Sequence, residues 1–332
     1  MTPIQEVAKR ANVSVATVSR VLNDSEKVKE ETREAVLQAI KVTNYSPNLS
    51  GRILRRNKTN VVLILLPTIS NPFYSKAVRG IRFVADKMGY LTMICNTESN
   101  RDKEGKYLDL LKYKQADGAI IMSQESSIEE LEEIGAIHPV VQCFEYKSEN
   151  LSYVSIDNEK AAYEAVSYLI GIGHKKIALV GCNPHYSSAE QREAGYKRAL
   201  HDANIELEQN LIVRGDYGFK SGYRCAQKLL KQNVKPTAIF AISDMQAIGV
   251  IKALKNKNIK VPEDISVFGF DNISFSMIYD PGVTTVSQPT YDIGAKAMSV
   301  LIDLLDGKTR SSQHILLKHR LIIRESTRTT VE

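Results

Sequence analysis

The sequence lacks the features of a membrane-spanning or exported protein. No run of 18 apolar residues occurs among its 332 residues, so we expect no transmembrane helix and no membrane partner. The opening MTPIQEVAKR has no basic stretch followed by a hydrophobic one, as a secretory signal would. The cysteines are dispersed and form no CxxC pair, which is typical of the reducing cytoplasm. They are Cys95, Cys143, Cys182 and Cys225.

Catalytic and metal-binding patterns are also missing. The six histidines show no metal-ligand spacing. Ser243–Asp244 and Asp271–Asn272 follow predicted strands, as hydrolase residues do, but no G-x-S-x-G nucleophile elbow accompanies them. We therefore expect a protein that is not an enzyme and uses no cofactor.

Positive charge is concentrated at the start of the chain. Residues 1–60 carry 11 Lys and Arg against 6 Asp and Glu, a net charge of +5, whereas the other 272 residues carry 33 against 32, a net charge of +1. A solvated basic tail would explain this surplus. A headpiece that binds a polyanion, attached to a neutral body, explains its placement better.

The first 46 residues are predicted to form three helices. Thr2 is a candidate N-cap for the first, with Pro3 at the first helical position and Gln5 in the capping box. A turn then leads to Ser14, which caps a second helix over residues 15–22, and a third helix covers residues 30–44. The segment YSPNLSGRILRRNKTN that follows contains Pro47, Gly51 and four basic residues, and is predicted to be a linker.

The first two helices have the pattern of a helix-turn-helix. Ala16 and Ser19 keep the second helix slim enough for a DNA major groove, and Ser14, Thr17 and Ser19 can donate to phosphates. Arg20 can donate two hydrogen bonds to a guanine edge. A small helical domain with solvated hydroxyls is the simpler interpretation, but the basic surplus favours DNA binding.

From Asn60 onward, short apolar runs alternate with helical periods. Continuous apolar strands between helices indicate parallel sheets covered on both faces, and nine such runs are many for one sheet, so we expect two α/β lobes. The runs are VVLILLP, YLTMICN, GAIIMS, PVVQCFE, YVSID, KIALVG, TAIFAIS, ISVFGFD and TTVSQP.

These motifs together resemble one family. IQEVAKRANVSVATVSRVLN and TREAVLQAIKVTNYSPN resemble the headpiece of the LacI/GalR family of bacterial transcription regulators, and PTISNPFYSKAVRGI, YLIGIGHKKIALVG, VPEDISVFGFDN and RLIIRESTR are similar to later family signatures. Within the family the chain is most similar to the cytidine and purine repressors. The resemblance implies an all-α helix-turn-helix headpiece (1–46), a hinge helix (47–59) and an α/β periplasmic-binding-protein-like core (60–332). That core has two lobes with parallel sheets and three crossovers, the first lobe taking about 60–158 plus 289–321 and the second about 159–288 plus 322–332.

The resemblance implies a repressor that binds a pseudo-palindromic operator. Family members read bases at the positions of Val15, Ala16 and Arg20, although Val15 could instead belong to the core. Leu54 stands where the family wedges a leucine into the minor groove. Gly51 replaces an alanine common in relatives, at a cost of about 1 kcal/mol to a hinge helix. The expected DNA contacts are Thr2, Ser14, Val15, Ala16, Thr17, Ser19, Arg20, Asn23, Asn48, Gly51, Leu54 and Arg55.

A small-molecule effector is expected between the lobes, because ligands bind at the carboxyl ends of parallel strands. The resemblance assigns an arginine and a late aspartate to ligand hydroxyls and aromatic residues to a ring, which suits a nucleoside first and a sugar or sugar phosphate second. Asp157 and Asp244 could instead cap helices. Phe144 and Glu145 could add selectivity. The expected effector residues are Asn71, Phe73, Tyr74, Glu145, Asp157, Tyr186, Arg192, Tyr217, Asp244 and Asp271.

The expected partners are operator DNA, the effector and a second copy of the chain. The sequence ends at ESTRTTVE without the heptad tail by which some members form tetramers, so a homodimer is expected. One branch of the family uses a phosphoprotein corepressor, which stays an alternative here. A solute-binding receptor is a more remote one, because the basic headpiece and the missing export signal argue against it.

Overall fold

The computed structural model describes residues 4–23, 28–45, 58–182, 186–309 and 311–330. The chain divides into two compact units, Met1–Lys58 and Thr59–Glu332. None of the described helices is long and apolar enough to cross a bilayer.

The described residues of the first unit form three helices. Its helices are α1 (Ile4–Arg10), α2 (Val15–Asn23) and α3 (Glu30–Thr43). They share a small apolar core formed by Val7, Ala8, Val18, Val21, Val36 and Ala39. The turn between α1 and α2 places Asn12 at a φ of 51°, a left-handed conformation that asparagine tolerates well.

The second unit contains two six-stranded sheets. In the first lobe the strand order is β11-β5-β4-β3-β1-β2, and all pairs are parallel. In the second lobe the order is β12-β10-β9-β8-β6-β7, parallel except for the antiparallel pair of β10 and β12. The strands are β1 (Val61–Leu66), β2 (Leu91–Asn96), β3 (Gly118–Ile121), β4 (Val140–Cys143), β5 (Ser152–Ile156), β6 (Ile177–Cys182), β7 (Ile212–Gly215), β8 (Ala238–Ala241), β9 (Ser266–Asp271), β10 (Thr284–Ser287), β11 (His314–Leu317) and β12 (Arg320–Ile322).

Helices cover both sheets, as the continuous apolar strands require. The central strands β3, β4, β6, β8 and β9 are buried along their whole length. The helices of the core are α4 (Pro72–Lys87), α5 (Arg101–Lys112), α6 (Ile128–Ile137), α7 (Asn158–Gly171), α8 (Ser187–Asp202), α9 (Phe219–Leu229), α10 (Asp244–Lys255), α11 (Ser274–Ile278) and α12 (Thr290–Leu305).

The chain passes between the lobes three times, after β5, after β10 and after β11. The nine apolar runs of the sequence omit β7, β11 and β12. These three strands are four residues long or shorter and lie at sheet edges with partly exposed residues, so they leave no continuous apolar run. Strand β12 pairs with the second-lobe sheet, so Arg320 and Leu321 belong to the second lobe. The boundary expected after residue 321 would place both residues in the first lobe.

Candidate functional site

The helix-turn-helix presents a small exposed surface on α2. Ser14 caps this helix, because its Oγ accepts a hydrogen bond from the Thr17 N–H at 3.1 Å. Val18 is buried, whereas Val15, Ala16 and Arg20 are exposed. Val15 is 39% exposed, which places it on the surface of the domain and leaves it open to contact a base.

The remaining residues expected at DNA divide into two groups. Ser19 and Thr17 are half-buried on α2, and the Thr17 hydroxyl lies 2.9 Å from Ser14 Oγ, so these two hydroxyls already bond each other. Thr2, Asn48, Gly51, Leu54 and Arg55, and the side chain of Asn23, lie outside the described residues. The predicted hinge helix therefore stays a prediction.

A cavity of about 470 Å³ opens between the two lobes of the second unit. It lies at the carboxyl ends of the strands, where loops of the first lobe face α8 and the loop after β7. Five residues expected from the sequence line it: Asn71, Tyr74, Glu145, Tyr186 and Tyr217. Glu98, Ser99, Ser123, Asp216 and Met245 also line it and were not expected. Glu98, Ser99 and Ser123 directly follow β2 and β3, so the rule that selected the others could have found them.

A smaller cavity of about 30 Å³ lies beside the first, and Asn71, Tyr74, Glu145 and Tyr217 line both. The smaller one brings in four more residues singled out in the sequence, Phe73, Phe144, Arg192 and Asp271. Its volume is close to that of a single water molecule. The expected arginine and late aspartate thus meet at the floor of the interlobe space.

Arg192 is buried on the second-lobe side and is held from three directions. Its Nε donates to Asn158 Oδ1 at 3.0 Å, its Nη1 donates to the Ile242 carbonyl at 2.6 Å, and its guanidinium lies 3.7 Å from the centre of the Phe270 ring. Asp271 Oδ1 is 3.8 Å from Nη1. No described residue bonds Nη2 of Arg192, so this group is a free donor at the floor.

Asp271 complements this donor. Its Oδ1 accepts a hydrogen bond from Gln288 Nε2 at 2.8 Å, and no described residue bonds Oδ2. Its φ of 111° is unusual for a residue other than glycine, and such backbone strain is concentrated at functional sites. Burial raises the pKa of Asp271 to about 7, against the opposite effect of Arg192.

Aromatic rings form the walls above this floor. The rings of Phe73 and Phe144 are 4.6 Å apart, and those of Tyr186 and Tyr217 are 5.6 Å apart in an edge-to-face arrangement. The Tyr217 hydroxyl lies 2.7 Å from Ser188 Oγ. The site therefore combines flat apolar surfaces with one free donor and one free carboxylate oxygen, which suits a ring that carries hydroxyls.

The structure places Asp157 and Asp244 away from both cavities, contrary to the expectation from the sequence. Asp157 is exposed and caps α7, its Oδ1 accepting from the Lys160 N–H at 2.8 Å. Asp244 is buried beneath the loop after β9, where it accepts from the Ile273 N–H at 2.9 Å and from Thr285 Oγ1 at 2.6 Å. Both carboxylates are used by the fold itself.

Two family models match the chain. Residues 3–48 match the model of bacterial regulatory proteins of the lacI family, and residues 59–325 match the model of periplasmic binding proteins and the sugar binding domain of the LacI family. The chain belongs to the LacI family. The resemblance stated from the sequence is thus confirmed, and so is the fold class.

Individual LacI-family proteins are similar to this chain along almost its whole length. The transcriptional regulator RegA of Clostridium saccharobutylicum is 42% identical over 98% of this chain and 99% of its own length. The repressor CytR of Escherichia coli is 38% identical over 98% and 96%. The crystal structure of the lac repressor dimer bound to operator and the anti-inducer ONPF has a TM-score of 0.87 and 26% identity, covering 98% of this chain and 99% of that one.

These similarities establish the general function. The relatives are transcription regulators rather than enzymes, and the chain is a LacI-family transcription regulator with a DNA-binding headpiece and a ligand-binding core. The resemblance to the cytidine and purine repressors is confirmed by CytR and by the repressor PurR of Histophilus somni, which is 34% identical over 99% of this chain, and RegA is a further similar relative.

The two buried aspartates predict a pH dependence of stability. Burial raises the pKa of Asp244 to about 8, and the charge of Asp271, itself at about 7, acts in the same direction. An unfolded aspartate titrates near 3.9. The folded chain therefore binds more protons than the unfolded chain between about pH 4 and 8, and the free energy of unfolding falls as pH rises through this range.

We expect the variant Asp244→Asn to flatten this dependence, because the amide oxygen still accepts a hydrogen bond but carries no charge. Thermal unfolding of the full chain at pH 6, 7, 8 and 8.5 measures it. Burial lowers the pKa of His174, whose contribution has the opposite sign but is common to both proteins. The exposed cap variant Asp157→Asn is the control and should keep the wild-type slope. An unchanged slope in Asp244→Asn would contradict this prediction.

Proposed function

We propose that this LacI-family chain acts in the cytoplasm as a homodimeric repressor of a pseudo-palindromic operator, and that a nucleoside in the interlobe cavity controls its operator affinity. The observation that carries the effector half is the floor formed by Arg192 and Asp271 beneath tyrosine walls. The operator half rests on the exposed surface of α2 and on the family.

Operator reading is assigned to three exposed residues of α2. Arg20 is exposed and its guanidinium matches the two acceptors of a guanine in the major groove. Val15 and Ala16 offer small apolar surfaces that suit a thymine methyl group. Because Ser14 bonds Thr17 within the helix, its role is to cap α2 and to keep its N–H groups directed at a phosphate.

A nucleoside uses both parts of the cavity. Its ribose hydroxyls can accept from Arg192 Nη2 and donate to Asp271 Oδ2, as a carboxylate and a guanidinium together bind vicinal hydroxyls. Its base can pack against Tyr74 and Tyr217, which line both cavities. The cavity of about 470 Å³ lies within the usual range of small-molecule sites. Only about one water's volume remains beside the pair, so the ribose reaches it by parting the lobes slightly.

A free sugar is the second candidate. The family model that matches residues 59–325 is described as a sugar binding domain, and the Arg192–Asp271 pair would bind its hydroxyls equally well. The two candidates differ in their use of the tyrosines, since a sugar has no base to stack.

Exposed apolar residues favour a dimer through the edge of the first lobe. Strand β2 lies at one edge of its sheet, and Leu91, Met93 and Ile94 on it are exposed, Leu91 by 71%. Phe83 and Met88, at and just beyond the end of the neighbouring α4, are exposed as well. Several exposed apolar side chains at the edge of a sheet are typical of a protein–protein interface.

The operator assignment predicts the effect of Arg20→Ala. Specific binding should weaken by about 1–3 kcal/mol per half-site, with non-specific binding nearly unchanged, because one bidentate base contact is lost. Arg33→Ala is the matched control, since Arg33 on α3 is already paired with Glu30. Fluorescence anisotropy on operator and scrambled DNA at one fixed salt concentration measures both. Equal losses on both DNAs would argue against base reading by Arg20.

The effector assignment predicts which variants affect which ligands. A thermal-shift screen of nucleosides, pentoses and hexoses should find a stabilising nucleoside. Tyr217→Leu should then weaken the nucleoside roughly 10-fold through lost stacking but leave the free pentose unchanged, whereas Asp271→Asn should weaken both. Tyr113→Leu, at an exposed tyrosine outside the cavity, is the control. Nucleoside affinity that survives both Asp271→Asn and Arg192→Met would show that the ligand binds elsewhere.

The interface assignment predicts that Leu91→Asp dissociates the dimer, because it places a charge in an apolar contact. The control is Leu316→Asp, an exposed leucine on β11 at the opposite edge of the same sheet. Light scattering should give twice the 37.1 kDa chain mass for the wild type and the control, and the single mass for Leu91→Asp. A dimer in all three proteins would place the interface on another surface.

A further inference from the structure

Glu145 of the first lobe bonds the first turn of α8 in the second lobe. Its carboxylate accepts a hydrogen bond from Ser187 Oγ at 3.0 Å, another from the Ser188 N–H at 3.0 Å and a third from Ser188 Oγ. Glu145 also lines both interlobe cavities. The side chain predicted to contact the effector is therefore already engaged with the protein.

The position that Glu145 fills is one that binds anions. The first N–H groups of a helix have no partner within the helix and carry a partial positive charge. At α8, a helix of 16 residues, the N-cap residue Tyr186 makes no side-chain cap bond. Glu145 supplies that cap from the other lobe, in the place where a phosphate or carboxylate of a ligand would otherwise bind.

The described side chains that line the larger cavity are acidic or uncharged. Glu98, Glu145 and Asp216 line the larger cavity, and no lysine or arginine is among the described residues that do so. Arg192, the only cationic side chain among the described residues that line the smaller cavity, lies beside Asp271, which offsets its positive charge. An anionic ligand in the larger cavity would therefore lie near the carboxylates of Glu98, Glu145 and Asp216.

We infer that Glu145 is a specificity determinant that restricts this cavity to uncharged ligands, by occupying the anion-binding turn of α8 itself. The inference rests on the proposed effector site and narrows it. Nucleosides and free sugars are accepted, whereas their phosphate esters are rejected. Removing the carboxylate should convert the cavity into one that binds phosphate.

The test uses inorganic phosphate as the probe, on the full chain at pH 7.5 and at ionic strength matched with sodium chloride. The wild type should show no saturable thermal stabilisation. Glu145→Ala should show saturable stabilisation, with a Kd for phosphate at least 10-fold lower than any wild-type value. Glu145→Gln keeps the size of the side chain and one acceptor, so it should show a smaller gain and gives the readout if the alanine variant does not fold.

The matched control is Glu98→Ala. It removes the same charge from the same cavity, but Glu98 is paired with Lys103 and does not cap α8. It should therefore stay unresponsive to phosphate. An equal gain in Glu98→Ala would show that net charge decides selectivity, and phosphate binding to the wild type, or to neither Glu145 variant, would overturn the inference.

These outcomes are separate from those of the effector screen. If the wild type binds no nucleoside or sugar, the proposed effector is wrong, but the phosphate measurements still test whether Glu145 blocks the first turn of α8. If a nucleoside binds but the Glu145 variants do not bind phosphate, the effector proposal stands and the role given to Glu145 is wrong.

Discussion

The second lobe depends on the hydrogen bonds and the charge partner that stabilise one buried guanidinium, that of Arg192. Arg192 is only 5% exposed, and a charge so deeply buried is stable only when its donors are satisfied. Its partners come from the start of α7, the end of β8 and the end of β9, so this one side chain ties three elements of the second lobe together. Nη2 and the second oxygen of Asp271 are bonded by no described residue, and both side chains line the smaller cavity together with Phe73 and Phe144 of the first lobe. The group that organises the lobe is thereby also the group that a ligand can reach.

Hydrogen bonds between the two lobes cross the interlobe space at its rim. Tyr186 Oη of the second lobe lies 3.3 Å from both Ser99 Oγ and Glu125 Oε1 of the first, and Glu145 reaches in the opposite direction to α8. A hydrogen bond contributes about 0.5–1.5 kcal/mol between neutral groups and about 1.5–3 kcal/mol to a charged group such as these carboxylates. A ligand that bonds to both lobes and displaces some of these bonds therefore has the means to shift the arrangement of the lobes.

The two units of the chain present different kinds of surface to their ligands. The headpiece has a core of six small side chains and exposes a slim, basic helix face. The second unit has a much larger apolar core and presents a cavity lined by tyrosines and by the carboxylates of Glu98, Glu145 and Asp216. The carboxylates that line the cavity repel polyanionic DNA, which keeps DNA from the effector site.

The sequence by itself determined the helix-turn-helix, the family and nine of the twelve described strands, because caps, periodicity and signature motifs are local. It also identified Arg192 and Asp271, which meet at the floor of the interlobe space. Only the tertiary structure separated them from Asp157 and Asp244. The three aspartates lie at or just after strand ends, but position after a strand fixes the edge of the sheet and not the direction of the side chain. That direction follows from the nearest unsatisfied N–H group, which for Asp244 belongs to Ile273, 29 residues away.

The same limit applies to Glu145, whose partners lie more than 40 residues further along the chain and in the other lobe. No local pattern records such a pairing, because it exists only when two separately folded lobes face each other. Three of the four edge strands, β7, β11 and β12, were missed for a related reason. Half-exposed strands need no apolar run, and their place is set by the neighbour they pair with, so the sequence determined which residues are available and the packing of the lobes decided what each one does.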